Sequence, residues 1–248
     1  METLIIAAGY GSRLSGSFPS KPLAPVSGIP LIEIGIRQAM SAGSDGIVVV
    51  TGHEAQRLEA ALAEISARLE IPVRCARVDD WSKPNGYSVM AGASLIEGEY
   101  LLMMADHILS TSILKNLAMA GNADRGVTLA IDRNVDSPLV DPDDATWVRC
   151  DNAGRIEAIG KQIEPYDAVD CGAFLATAEL ADAIRAAIRD GAAGSLSDGM
   201  QRLAEKKRAA TLDIGDAWWI DVDDLHAHTL AEAQAPRHIK GVFSGASA

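Results

Sequence analysis

The sequence predicts an α/β protein, a Rossmann-like, doubly wound, mostly parallel sheet with a β-hairpin elaboration in its second half. Three observations lead there. Short runs of apolar residues such as "TLIIA", "GIVVVT" and "YLLMMA" alternate with longer stretches of helical period. Such short runs, ended by glycine or a polar residue, read as strands buried on both faces, and regular strand–helix alternation implies right-handed crossovers. The segment "TWVRCDNAGRIEAIGKQI" instead pairs two alternating runs through Asp151-Asn152-Ala153-Gly154, a hairpin signal. With 248 residues, 48% of them apolar, the chain can bury one substantial core.

The elements follow in order. The first strand covers residues 3–8 and stops at Gly9. Apolar spacing after Pro30 gives a helix over 31–42, and "GIVVVT" is the strand 46–51. The amphipathic "EAQRLEAALAEISARLE" is a helix over 54–70, followed by a strand at 72–78, a helix at 87–97 and the most apolar strand at 99–105. A short helix from Thr111 to Met119 leads to the strand "GVTLAID", the hairpin, and the strand "DAVDCGAFLA". Helices at 178–190 and 195–206, a strand at 209–214 and a helix from Val222 to Ala233 complete one domain over 1–235. Residues 236–248, ending "SGASA", read as a loosely held tail after Pro236.

Composition excludes several classes. A net charge of −12, from 22 Lys and Arg against 34 Asp and Glu, leaves no basic stripe for nucleic acid. The apolar runs are too short to span a bilayer, and "METLIIAAG" lacks a signal peptide's basic region, so a cytoplasmic location without membrane insertion is expected. The cysteines Cys75, Cys150 and Cys171 have no CxxC spacing and read as buried, inert thiols.

The chemistry begins at "AAGYGSRL", residues 7–14, which leaves the C-terminal edge of the first strand, and at Lys21 in "FPSKPLAPV". Ligands of open α/β sheets bind at that edge, where backbone N–H groups solvate phosphate. Gly9 and Gly11 permit close approach of backbone to ligand, and Arg13 and Lys21 add positive charge, so the stretch reads as a phosphate cradle. A P-loop would set glycine beside the lysine, and a dinucleotide fingerprint would place glycine where Leu14 stands. Asp106 ends the most apolar strand, and Asp221 and Asp223 follow "WWI". Carboxylates at such positions suit Mg²⁺, which completes its shell with substrate phosphates and water.

With "AAGYGSRL", "SKPLAPVSGIPLIE", "KPNGYSVM", "LLMMADHI", "GKQI", "DCGAF" and "WWIDVDD" in order along nearly the whole chain, the sequence resembles the sugar-phosphate nucleotidyltransferases of the GT-A-like NTP-transferase superfamily. The Asn-Gly-Tyr-Ser and Asp-His pairs make it most similar to the CTP:inositol-1-phosphate cytidylyltransferases. The resemblance implies Mg²⁺-dependent transfer of CMP from CTP to inositol 1-phosphate, giving CDP-inositol and pyrophosphate.

It also implies roles. Lys21, Arg13 and Asp106 are catalytic. Ala7, Ala8, Gly9, Gly11, Ser12, Arg13, Lys21, Gly52, Asn85, Gly86 and Ser88 hold the nucleotide. His107, Lys161, Asp170 and Gly172 meet the acceptor, and Asp106, Asp221 and Asp223 bind Mg²⁺. Acidic residues of "DRNVDSPLVDPDD", namely Asp136, Asp141, Asp143 and Asp144, offer acceptors to a hydroxylated ring or form a solvated loop. His226 and His228 read as surface residues. Some relatives are fused to a membrane alcohol phosphotransferase, so the chain is expected to be free-standing, to supply such an enzyme, and to permit a dimer. Other readings stay open: a cytidylyltransferase for phosphocholine or aminoethylphosphonate, a nucleotidyltransferase for another sugar 1-phosphate, and a non-catalytic nucleotide-binding module.

Overall fold

A computed structural model of the chain describes residues 1–14, 16–121 and 125–243. The first half runs β1 (Thr3–Ile6), β2 (Pro25–Val26), β3 (Ile29–Pro30), α1 (Leu31–Ser41), β4 (Ile47–Thr51), α2 (Ala55–Leu69), β5 (Val73–Arg77), α3 (Asn85–Ala93) and β6 (Tyr100–Met104). Next come β7 (His107–Leu109), α4 (Thr111–Ala120), β8 (Val127–Asp132), β9 (Trp147–Cys150), β10 (Ile156–Gly160) and β11 (Ala168–Ala176). The chain continues with α5 (Ala178–Arg189), α6 (Leu196–Glu205), β12 (Ala209–Asp213), β13 (Trp219–Asp221), α7 (Leu225–His238) and α8 (Lys240–Phe243).

Strands β6, β1, β4 and β5 are neighbours in a parallel block, the doubly wound unit expected from the alternating runs. β11 joins β6 antiparallel and carries both β8 and the β9–β10 hairpin, which forms around the predicted turn. Alternate residues of β1 serve two cores. Leu4 and Ile6 pack in the cluster that includes Val89 of α3, Ile184 of α5 and Met200 of α6. Ile5 and Ala7 pack in the cluster that includes Ile36 of α1, Leu62 of α2 and Leu114 of α4. Burial on both faces explains the unbroken apolar run, and each Leu or Ile so buried contributes about 1.5–3 kcal/mol. Helix ends are set by side chains. The Thr177 hydroxyl accepts the Glu179 N–H, and Ser195 and Asp198 form a reciprocal capping box on α6.

Two irregularities position the site. In β11 the register against β8 shifts between Asp170 and Phe174, a bulge that includes Gly172 at φ +71°. Bulges re-aim side chains at sheet rims. The short strands β7 and β13 pair antiparallel beyond the main sheet, with Asp221 opposite His107, and the Val222 N–H donates to the Asp106 carbonyl at 2.9 Å.

A third core cluster joins Leu14, Ile34 and Ile108 to Ile220, Val222, Ala231, Ile239 and Val242. Here the structure corrects the reading of the C-terminus. Helix α7 runs through Pro236, and Ile239 and Val242 are buried, so residues 236–243 are packed because they supply apolar cover; residues 244–248 lie outside the described residues. The last helix starts three residues later than its sequence period suggests, because Asp224 caps it by accepting the Ala227 N–H at 2.7 Å. Of the cysteines only Cys171 is buried; Cys75 is exposed on β5, which lies at the edge of the sheet.

Candidate active site

The loop after β1 is shaped by its glycines and anchored by Leu14, which is fully buried and donates its N–H to the Gly11 carbonyl. Gly11 adopts φ +61°, and a Cβ there would stand 2.6 Å from the Lys21 Cβ. The glycine therefore lets the loop lie against the stem of Lys21. Gly9, in contrast, has open space where a Cβ would be. Lys21 is 7% exposed, and its ammonium lies 2.6 Å from Asp106 Oδ2 and also pairs with Asp223. Burial disfavours its charged form, but Asp106, Asp221 and Asp223 outweigh burial and hold its pKa above the usual lysine value.

The carboxylates converge through the β7–β13 pairing. Asp106 Oδ1 lies 2.8 Å from His107 Nδ1, and Asp221 Oδ1 lies 3.8 Å from the same nitrogen. Burial works against the Asp106 carboxylate, yet Lys21 and His107 hold it well below the ordinary range. Asp221 shows the opposite balance. Burial, reinforced by Asp106 and Asp223, lifts it to about 7 despite His107 and Lys21. Burial also lowers the affinity of His107 for a proton, but Asp221, Asp106 and Asp170 overcome it and raise its pKa to about 9. Asp170 is pushed up to about 6, chiefly by burial, and its Oδ1 accepts the Gly172 N–H at 2.7 Å. Gly172 itself makes room for His107, whose ring lies 2.4 Å from where a Cβ would be.

This cluster fits a divalent cation. One ligand atom each from Asp106, His107 and Asp221, and again from Asp144, Asp221 and Asp223, lie within 4.8 Å of one another. Asp221 Oδ1 is buried with no hydrogen-bond partner, the state of an oxygen that awaits a ligand. Five carboxylates (Asp106, Asp141, Asp144, Asp221, Asp223) meet three permanent cations (Arg13, Lys21, Lys161), so added phosphate needs further positive charge. Oxygen donors are those that hard cations prefer.

Two cavities share Asn85, Met104, Asp106 and Asp223. The smaller, about 220 Å³, is also lined by Ala7, Gly9, Gly11, Lys21, Trp81, Lys83 and Ser88. The larger, about 520 Å³, is lined by His107, Lys161, Asp170, Gly172, Trp219 and Asp221, among others. The sequence-derived nucleotide and acceptor groups thus separate mainly into two compartments with the acidic cluster between them.

Several residues sit differently from expectation. Arg13 lines the larger cavity, 2.9 Å from both Asp144 and Asp223, rather than the glycine side. Asn85 and Gly86 are in the first turn of α3 instead of preceding it. The Asn85 amide oxygen accepts the Leu196 N–H at 2.8 Å, and a Cβ on Gly86 would meet the Gly194 carbonyl at 2.3 Å, so both join α3 to the α6 entrance. Gly52 and Ala8 lie behind the glycine loop. The Ala8 carbonyl accepts the His53 N–H, and Gly52 has no room for a Cβ beside Ala8 and Trp81. Ser12 is exposed on the loop. Of the acidic loop, Asp141 and Asp144 reach the site while Asp136 and Asp143 do not line it. His226 is exposed, as its reading as a surface residue expects, and it also lines the larger cavity because α7 begins beside Asp223 and Asp224. Lys83, which opens "KPNGYSVM" but received no role from sequence, lines the smaller cavity together with Trp81.

The chain is similar to known proteins. Residues 3–206 match the MobA-like NTP transferase domain. A Rubrobacter xylanophilus protein named "Bifunctional IPC transferase and DIPP synthase" is 33% identical over 230 residues, 92% of this chain and 50% of that protein. One of the same name from Aquifex aeolicus is 28% identical over 223 residues, 89% of this chain and 48% of its own. The chain therefore spans about half the length of these curated relatives. Among solved structures, the inositol-1-phosphate CTP transferase from T. maritima superimposes with a TM-score of 0.81 at 20% identity, covering 96% of this chain and 97% of the other. That likeness establishes a shared fold. No helix among the described residues is long and apolar enough to cross a membrane. With its glycine loop, buried lysine and strand-end aspartates in place, the chain belongs to the MobA-like NTP transferase family.

Proposed function

We propose that the chain is a Mg²⁺-dependent cytidylyltransferase that transfers CMP from CTP to inositol 1-phosphate, giving CDP-inositol and pyrophosphate. The observation that carries this reading is the pair of cavities meeting at Asp106 and Asp223, with Lys21 on the nucleotide side and Lys161 on the other. The names of the full-length relatives support the inositol phosphate acceptor. The product is a CDP-alcohol, the kind of donor that an alcohol phosphotransferase consumes.

The chain's residues then divide the work. CTP lies in the smaller cavity, its triphosphate over Gly9 and Gly11 and its base toward Ser88 and Trp81. An oxygen of the acceptor phosphate attacks the α-phosphorus in line, the bond from that phosphorus to the bridging oxygen of pyrophosphate breaks, and the leaving group carries away the electron pair. A phosphate monoester has its second pKa near 6, so it is a competent nucleophile at neutral pH without a general base. Lys21 contributes charge where negative charge builds in the transition state. Asp106, Asp221 and Asp223 would hold Mg²⁺, which when bound neutralises and orients the reacting phosphates. The imidazole of His107 and the carboxyl of Asp170 face the larger cavity and can hydrogen-bond hydroxyls of the acceptor ring.

A quaternary ammonium acceptor fits less well, since it needs several aromatic faces. In the larger cavity Trp219 stacks on His107 and donates its indole N–H to Asp132, while Trp147 and Tyr166 stack on each other at 4.1 Å. The test is pyrophosphate release across CTP, UTP, dTTP and GTP crossed with inositol 1-phosphate, phosphocholine and sugar 1-phosphates, with and without chelator. Turnover should be highest for CTP with inositol 1-phosphate and should vanish on chelation. Preference for phosphocholine or for another base would reject the corresponding half of the proposal.

A further inference from the structure

We propose that Asp144 is an internal counter-anion occupying the acceptor-phosphate subsite, so that only a phosphorylated acceptor can displace it and enter. The inference rests on the larger cavity being the acceptor's.

The segment between β8 and β9 is folded to deliver this carboxylate. The Asp141 carbonyl accepts the N–H groups of Asp144 and Ala145 at 3.2 and 2.9 Å, and Asp141 Oδ1 accepts the Asp143 N–H at 3.0 Å. Leu139 packs on the third core cluster, and Val140 and Ala145 on the second, which fixes the turn on both sides. One Asp144 oxygen lies 2.9 Å from the Arg13 guanidinium, and the other pairs with the Lys161 ammonium. The carboxylate is 23% exposed, against 45% for Arg13 and 59% for Lys161, so it sits deeper than the cations that clasp it. All three line the larger cavity.

An anion bridging a guanidinium and an ammonium, on the wall of a cavity of about 520 Å³, is the arrangement that a phosphate monoester would make there. A dianion offers both cations more charge and more acceptor oxygens than a carboxylate does. A neutral polyol offers neither, and to bind it would leave the three ionic side chains as they are. Asp144 thereby sets acceptor selectivity: it costs a phosphorylated acceptor some affinity and denies the subsite to the free alcohol.

The test compares wild type, Asp144→Asn, Asp144→Ser and the exposed neighbour Asp143→Asn by calorimetric titration with inositol 1-phosphate, inorganic phosphate, free inositol and CTP. Loss of two partly exposed ion pairs predicts roughly five- to tenfold tighter binding of inositol 1-phosphate and inorganic phosphate in both Asp144 variants. With chelator present, so that no divalent cation can bind beside Asp144, binding of CTP should move less than about twofold, and Asp143→Asn should match wild type. Weaker or unchanged phosphate binding in the Asp144 variants overturns the proposal, because it would make the carboxylate a ligand contact or a bystander. Tightening confined to CTP would give the subsite to the nucleotide and overturn the acceptor assignment. An equal gain in Asp143→Asn would reduce the effect to general charge and overturn it as well. If wild type fails to turn over inositol 1-phosphate while the Asp144 variants still tighten inorganic phosphate, the counter-anion stands and the acceptor proposed above falls.

Discussion

Replacing Gly172 by alanine tests whether the bulge in β11 exists to seat His107. The residue adopts φ +71°, where an alanine costs about 1–2 kcal/mol. The added Cβ would lie 2.4, 2.6 and 2.8 Å from His107 Cδ2, Nε2 and Cγ. The ring cannot retreat freely, since its Nδ1 is held 2.8 Å from Asp106 and its face stacks on Trp219. Displacing it forfeits a charge-assisted hydrogen bond of about 1.5–3 kcal/mol. The total of about 3–5 kcal/mol should lower Tm by roughly 6–20 °C in a chain of this size. Urea unfolding of wild type, Gly172→Ala, His107→Ala and the double variant separates the two costs. With the ring already removed, the alanine should cost only its backbone share, leaving a coupling of about 2 kcal/mol between the sites. If the two losses add to within about 0.5 kcal/mol, Gly172 is not there for His107, and the reasoning from close approach fails.

Lys21→Ala should lower kcat by about 10²–10³ with little change in KM for CTP, and a pure KM effect would demote the lysine to ground-state binding. The same variant leaves Asp106 and Asp223 without their shared cation, so it should bind Mg²⁺ more tightly than wild type in a direct titration; weaker binding would exclude these carboxylates as the metal site. Away from the site, Glu33 is buried and pairs with Arg37 and with the half-exposed Arg68. Burial raises its pKa, but hydrogen bonds from Arg68 and Arg37 outweigh that and leave it lowered. A depressed folded-state value gives stability that is present above the unfolded pKa, near 4.3, and lost as pH falls through the folded value. Glu33→Gln should therefore cost about 2 kcal/mol at pH 7 and less in urea melts at about pH 3.5; a pH-independent difference would show that charge is not the cause.

The centre of the sheet was legible because β1, β4 and β6 are buried on both faces, which writes them as continuous apolar runs such as "IVVVT" with no competing helical period. The hairpin announced itself through its turn. The β7–β13 pairing did not, because strands of three residues carry no period, and their partners are set by tertiary packing alone. The charged residues that the fold brings together, Lys21, Asp106, Asp221 and Asp223, were readable as candidates from their positions at strand ends and loops. Residues defined by shape were not. Sequence does not show that Gly86 and Gly52 leave no room for a Cβ against neighbouring backbone, or that the Asn85 amide oxygen is spent on α6. Arg13 was placed with the triphosphate on sequence grounds, and only the fold brings Asp141 and Asp144 across to it.

The pairing of β7 with β13 also imposes a schedule on biosynthesis. The family match ends at residue 206, before Asp221 and Asp223 have been reached, and Lys21 and Asp223 are 202 positions apart. At about 5–20 residues per second, a ribosome needs roughly 10–40 s to travel from one to the other. Once Asp213 has been added, the nascent chain contains its glycine loop and the strands of its main sheet but still lacks Asp221 and Asp223, which complete the cluster. Translation thus completes the acidic cluster in one late step, when β13 docks on β7.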